Sequence, residues 1–224
     1  MSHWNNMVTS HGWMNGWVAE PDDRPNGGVI LVPDVFGVNS DMQAIAERFA
    51  IAGYLTVVPA LFDKLEREVE LGYGLESLRR GTALAQALGV EVAAELVACA
   101  VDAIGHAGAV ALVGYGWGGT AALHAAQSLS TPCVSYFGPF DKIPGAGGNH
   151  PPMLLHYGVA DGAFPAELVR EYRDKVAGLE ICSYQSGAAF DRPGDTDRHN
   201  AEDARLAFLR TQDFLRATIR QEND

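Results

Sequence analysis

The chain has 224 residues, 47% of them apolar and 20% charged, which is the balance of a globular protein and lies outside the composition of disordered chains. Its formal net charge of −12 argues against nucleic acid and anionic membrane surfaces as partners, since both repel an acidic surface. The length suits one α/β domain over residues 1–224 and sets no oligomeric state. The residues from Met1 to Met7 carry neither the basic nor the apolar region of a secretory signal, and no apolar run approaches the roughly 18 residues of a membrane span. Cys99, Cys133 and Cys182 are an odd, widely spaced set without metal-ligand spacing. The expectation is a cytoplasmic protein with reduced thiols, no metal and no cofactor.

In chain order, residues 14–20 alternate loosely and read as an edge strand, closed by a turn-forming stretch at 21–28. Residues 29–32 are a continuous apolar run of the kind buried between helix layers, followed by a loop over 33–39. Ser40 and Gln43 have the spacing of a capping box. Met42, Ile45, Phe49 and Ala52 then share one helical face, and Gly53 stands where a helix-ending glycine belongs. A strand at 54–58 ends at Pro59, and the charged residues 63–72 form a surface excursion. Helical periodicity runs from 75 to 107 with a break near Gly89. Strands are predicted at 110–113, 133–137, 153–157 and 179–184, and helices at 120–129, 166–176 and from a cap at Asn200 onward. The alternation specifies a mainly parallel sheet covered on both faces, with function at the carboxyl ends of its strands.

The densest signal is Val110-Ala-Leu-Val-Gly-Tyr-Gly-Trp-Gly-Gly119: a buried strand, a glycine turn and the start of a helix. A strand–turn–helix of this kind is the nucleophile elbow of α/β-hydrolases, which carries Ser or Cys at its apex. Here the apex is Gly116. The bland reading is a tight strand-to-helix turn. A nucleotide site is disfavoured because the string is Gly-x-Gly-x-Gly-Gly and no acidic residue ends a later strand at the expected offset.

Six stretches, in order, resemble the dienelactone hydrolase family from about Gly28 to Leu215. They are Asp34-Val-Phe-Gly-Val-Asn39, Gly53-Tyr-Leu-Thr-Val-Val-Pro-Ala-Leu-Phe62, the elbow, His156-Tyr-Gly-Val-Ala-Asp161, Gly187-Ala-Ala-Phe190 and Leu206-Ala-Phe-Leu-Arg-Thr211. The resemblance implies the α/β-hydrolase fold and a Cys-His-Asp triad. Matched residue by residue, the triad acid is Asp161, the nucleophile position is Gly116 and the histidine position is Ala188. Asp34 stands where the family has an acid beside the nucleophile, and Arg192 matches an arginine that holds a substrate carboxylate. No role is carried over to Arg79 or Arg80 in the next arginine-bearing stretch.

With Gly116 and Ala188 there is neither a nucleophile nor a base to activate one. The oxyanion donors depend on no side chain: the N–H of Trp117 and one from the 34–36 loop, assigned to Val35. Glycine is intelligible at 116, because the elbow backbone costs a non-glycine residue on the order of 1–3 kcal/mol. Asp161 and Asp34 each read equally as structural acids or as site residues. Arg192 reads as a ligand-binding residue or as a surface partner of Asp191, Asp195 or Asp197, and Tyr115 as a packing or hydrogen-bonding residue beside the apex. His199, just before the cap, reads as a surface histidine, His156 as a satisfied core residue and His124 as a helix-face residue. Cys133, Ser135 and Tyr136 lie on a strand with no elbow to activate them.

Three functional readings follow. One is a member of the family without the Cys/Ser–His pair that binds a small carboxylate, ester, lactone or other carbonyl ligand in the old pocket. Another is an enzyme using Asp34 and Asp161 as acid and base. The last is an interaction platform whose pocket is closed by Trp117.

Overall fold

The computed structural model of the protein describes residues 1–138, 150–160 and 166–219. Among these residues, eight strands form one sheet: β1 (Ser2–Thr9), β2 (Gly12–Ala19), β3 (Gly28–Val32), β4 (Leu55–Pro59), β5 (Val110–Tyr115), β6 (Cys133–Tyr136), β7 (Met153–Gly158) and β8 (Leu179–Tyr184), in the order β1-β2-β4-β3-β5-β6-β7-β8. The β1–β2 and β2–β4 pairs are antiparallel. Every pair from β4 across to β8 is parallel. The helices are α1 (Ser40–Ile51), α2 (Leu75–Leu88), α3 (Val90–Ala103), α4 (Trp117–Leu129), α5 (Ala166–Lys175) and α6 (Ala201–Thr218). No single described helix is long and apolar enough to cross a membrane.

Strands β3, β4, β6 and β7 are buried at every position and mostly apolar because both sheet faces are covered. In β3, Val29 and Leu31 pack with α1 and α6 through Ile45, Phe49, Ala207 and Leu215. Ile30 and Val32 face the other way, into a core with Leu96 and Val97 of α3 and Ala121, Ala122 and Ala125 of α4. The small residues of α4 let it approach the sheet closely. This helix therefore fixes the elbow against the centre of the molecule.

The structure departs from the sequence expectations at three places. The strand at 14–20 is not the edge, because the polar segment Ser2–Thr9 pairs with it along its whole length and becomes the edge itself. An exposed strand needs no apolar alternation, and in β1 only Met7 is fully buried. The cap of α1 is Asn39, whose Oδ1 accepts the N–H of Met42 at 3.2 Å, while Gln43 donates to the carbonyl of Val38 instead of closing a capping box. Helix α4 begins at Trp117, three residues before the predicted start, directly after the apex.

Candidate functional site

The carboxyl ends of β3, β5 and β6 converge on the elbow. Gly116 has φ +51° and ψ −123°, a left-handed conformation that glycine adopts without steric cost. Its N–H donates to the carbonyl of Tyr136 on β6 (2.8 Å), and its carbonyl accepts the N–H of Gly119 (2.9 Å). The turn is thus tied both to the neighbouring strand and to the first turn of α4.

Asp34, at the end of β3, aims its carboxylate into this turn. Oδ1 accepts the N–H of Val35 at 2.7 Å and the N–H of Trp117 at 3.0 Å. Those are the two groups the sequence assigns as oxyanion donors, and one carboxylate oxygen takes both. The other oxygen, Oδ2, is ion-paired with Arg192. A Cβ built on Gly116 would overlap the Asp34 carboxylate, so the acid occupies the volume into which an apex side chain would point. Asp34 and Arg192 are 8% and 9% exposed, so their attraction is little screened by solvent.

Arg192 comes from the turn after β8 and pairs with neither Asp195 nor Asp197. Its guanidinium lies 5.2 Å from the ring centre of Phe36, 5.5 Å from that of Tyr73 and 5.7 Å from that of Phe137, distances at which a cation is drawn to aromatic faces. What remains open beside the ion pair is a cavity of about 10 Å³ lined by Asp34, Phe36, Gly37, Asn39, Met42, Ile45, Tyr73, Tyr115 and Arg192. Trp117 does not close this cavity. Its indole stacks on Phe62 with centres 5.7 Å apart. Clefts of about 600 Å³ beside Met1, Asp22 and Ile51 and of about 340 Å³ beside Trp4 and Asp63 lie elsewhere, and neither includes an elbow residue.

The turn bearing Ala188 and Arg192 is held by a buried acid that sequence reasoning weighed only as a surface partner. Asp191 is fully buried and accepts from the hydroxyl of Tyr115 (2.9 Å) and from Arg48 of α1 (3.2 Å). Burial pushes the Asp191 carboxyl up, with Arg48 and the Tyr115 hydroxyl opposing that shift. The Tyr115 hydroxyl is therefore engaged within the protein. Nothing in the sequence marks Arg48 as this partner, because an arginine in the last turn of a helix is ordinary.

Ala188 is half-buried against the aromatic core, and His199 donates from Nδ1 to the carbonyl of Phe190 (2.9 Å), half-buried rather than solvent-facing. Asp161 lies outside the described residues. Arg80 pairs with Glu66 on the exposed face of α2, and Arg79 is exposed beside it. His156 is fully buried between the Tyr184 hydroxyl (2.7 Å) and Thr211 Oγ1 (3.0 Å). Burial, with help from the charge of Arg210, lowers its pKa to about 3. Burial raises the thiol pKa of Cys133 and the phenol pKa of Tyr136, and the Tyr136 hydroxyl is bonded to Thr211. No group of His, Cys, Asp or Glu among the described residues is arranged to hold a metal.

A sheet of this order with an elbow after β5 has clear relatives. The model of the dienelactone hydrolase family matches residues 14–219. The chain belongs to the dienelactone hydrolase family. Carboxymethylenebutenolidase from Pseudomonas putida is 29% identical over 88% of this chain and 89% of its own, and carboxymethylenebutenolidase 1 from Cupriavidus pinatubonensis is 25% identical over 92% of each. Two other relatives, from Synechocystis sp. and Azospirillum brasilense, are each 34% identical, but the chain spans only 28% and 26% of their lengths. Among solved structures, the dienelactone hydrolase from Anabaena variabilis superposes with a TM-score of 0.73 at 19% identity, covering 98% of this chain and 99% of that one. A dienelactone hydrolase-like promiscuous phosphotriesterase from metagenomic libraries gives 0.75 at 17% identity, with 97% and 98% covered. The architecture is that of the α/β-hydrolases.

Proposed function

We propose that this member of the dienelactone hydrolase family binds a small carboxylate or carbonyl compound at the elbow without forming a covalent intermediate with it. One observation carries the reading. The elbow already holds a carboxylate, that of Asp34, on two backbone N–H groups and a guanidinium, the donor set that recognises an oxyanion. Gly116 and Ala188, at the positions the family pattern gives to nucleophile and histidine, supply no lone pair for attack or proton transfer. An external carboxylate takes the same three donors when Asp34 turns aside, and an ester or ketone oxygen takes the two N–H groups.

Asp34 then competes with the ligand. Acetate should stabilise Asp34→Ala against thermal unfolding in a saturable way and act more weakly on the wild-type protein, because a ligand that binds only the folded state raises its stability with concentration. Aryl acetate turnover by the purified protein should match buffer. Turnover well above buffer, or no saturable effect of acetate on either protein, defeats the proposal.

A second reading has the relatives' names in its favour, since carboxymethylenebutenolidases match nearly the whole chain. It makes the protein an active lactone or ester hydrolase, or another acid–base enzyme, working through Asp34 and Asp161. It expects turnover that Asp34→Asn and Asp161→Asn each abolish, and unchanged rates in both variants remove it.

A further inference from the structure

We infer that Tyr73 is the gate of the elbow site and sets the size of carboxylate it admits, an inference that rests on the reading above that the site takes a carboxylate. The cavity beside Asp34 and Arg192 measures about 10 Å³, room for one water at most. Any organic acid must therefore displace part of the wall. Among the described lining residues all but Tyr73 are buried, whereas Tyr73 is half-buried, on the solvent side.

The local chain around Tyr73 is built to pivot. Gly72 and Gly74 flank it, both exposed, and a Cβ on either would meet nothing within 4 Å. Neither neighbour is therefore packed against the body of the protein. On one side the chain is anchored at Leu71, whose N–H donates to the carbonyl of Phe36 (2.9 Å) and whose carbonyl accepts from Asn39 (3.0 Å). On the other, the N–H of Leu78 donates to the carbonyl of Gly74 at the start of α2 (2.8 Å). Between these anchors lie only Gly72 and Tyr73. A short segment with few packed contacts opens at low free-energy cost compared with the core around it.

The ring packs on side chains of the site and against the backbone at Gly194. It meets Phe36 edge-on with centres 4.9 Å apart, lies over the Arg192 guanidinium, and its hydroxyl lies within electrostatic reach of Asn39 and Asp41. Swinging it outward uncovers the Arg192 cation and the Phe36 ring together. The space vacated is that of one aromatic ring beside a cation. The geometry thus fits a carboxylate carrying a planar or compact apolar substituent, while acetate needs less opening.

The test pairs a readout of access with a readout of binding. Arginine modification by phenylglyoxal, mapped by peptide mass, reports access to Arg192, and Arg48 serves as the internal reference because it is partly exposed and does not line the cavity. Removing an edge-on aromatic contact and a cation–ring contact in Tyr73→Ala should speed modification of Arg192 about tenfold with Arg48 unchanged. Apparent affinity scales with the open fraction, so calorimetric titration should show benzoate binding about tenfold tighter in Tyr73→Ala. Tyr73→Phe keeps the ring and should stay within about twofold of wild type in both readouts. An unchanged rate at Arg192, an equal rise at Arg48, or equal benzoate affinity in wild type and Tyr73→Ala overturns the gate. A faster rate at Arg192 with no benzoate binding by any variant upholds the gate and defeats the carboxylate reading instead.

Discussion

Gly116 and Asp34 compete for one small volume, and this couples two positions that are far apart in the chain. An apex side chain meets both a left-handed backbone and the Asp34 carboxylate. Gly116→Ala should therefore cost about 2–4 kcal/mol, combining backbone strain with overpacking. Asp34→Ala alone should cost about 3–5 kcal/mol, because it leaves the Arg192 cation buried without its anion. The double variant should be more stable than the sum of the two losses predicts, since Asp34→Ala vacates the space that the new methyl group needs. Urea denaturation of the four proteins measures this coupling, and strict additivity would count against shared occupancy. The same geometry bears on rebuilding a triad: Gly116→Cys with Ala188→His places a sulfur where the carboxylate now sits, so esterase activity is expected only when Asp34 is also shortened.

At the scale of elements, the site depends on how one loop is clamped between two neighbours. The segment from Asp34 to Asn39 carries the acid and one N–H donor. It is held from above by the strand-like crossing of residues 69–71, through Val38 N–H to the Val69 carbonyl (3.2 Å) and Leu71 N–H to the Phe36 carbonyl. It is held from the side by α2, where a Cβ on Gly81 would overlap the Val35 carbonyl. Asn39 joins both tasks, capping α1 with Oδ1 and binding the Leu71 carbonyl with Nδ2. Asn39→Ala should thus cost more than a simple cap: roughly 1 kcal/mol for the cap and about 1–3 kcal/mol more for a buried carbonyl left unpaired. Asn39→Asp keeps the acceptor but not the donor, so thermal melts of the two variants separate the terms. The elbow was legible because an apolar run followed by a glycine string has few structural interpretations. The crossing at 69–71 was not, because residues 63–72 are charged and their order comes from contacts with the 34–39 loop.

Across the whole molecule, a chain of buried polar groups ties the sheet to α6 and to the site. Tyr184, His156, Thr211 and Tyr136 are hydrogen-bonded in sequence, and Tyr136 stacks on Tyr115, which holds Asp191. His156 titrates near 3 when folded against a reference of 6.5, so between those values the unfolded chain binds the extra proton. Its contribution to stability is complete above pH 6.5 and is lost as the pH falls towards 3, at about 1.4 kcal/mol per pH unit at its steepest. Asp191 has the opposite sign: its raised pKa makes its contribution shrink as the pH rises from the unfolded carboxylate value through the folded one. Urea unfolding of wild type and His156→Gln at pH 7, 5.5 and 4.5 tests this contribution of the histidine. The wild type should lose about one more proton-equivalent of stability per pH unit than the variant, and parallel curves would mean that His156 is not the buried neutral group described.

The alternation of apolar runs and helical periods determined the parallel sheet, its two covered faces and the place of the elbow, because burial on both sides demands continuous apolar strands. The identities of Gly116 and Ala188 were equally plain, since a residue's identity needs no structure to be seen. The strand from Ser2 to Thr9 escaped notice because an edge strand is stabilised by backbone pairing to β2 and leaves little mark on side-chain pattern. Only the tertiary structure decided what fills the elbow. Asp34, Trp117 and Arg192 are separated by dozens of residues, and hydrogen bonding between them depends on how β3, β5 and the turn after β8 are brought side by side. Charge then makes the arrangement self-consistent: a buried carboxylate needs donors, and the elbow supplies two N–H groups and a guanidinium to the acid that already stands beside it.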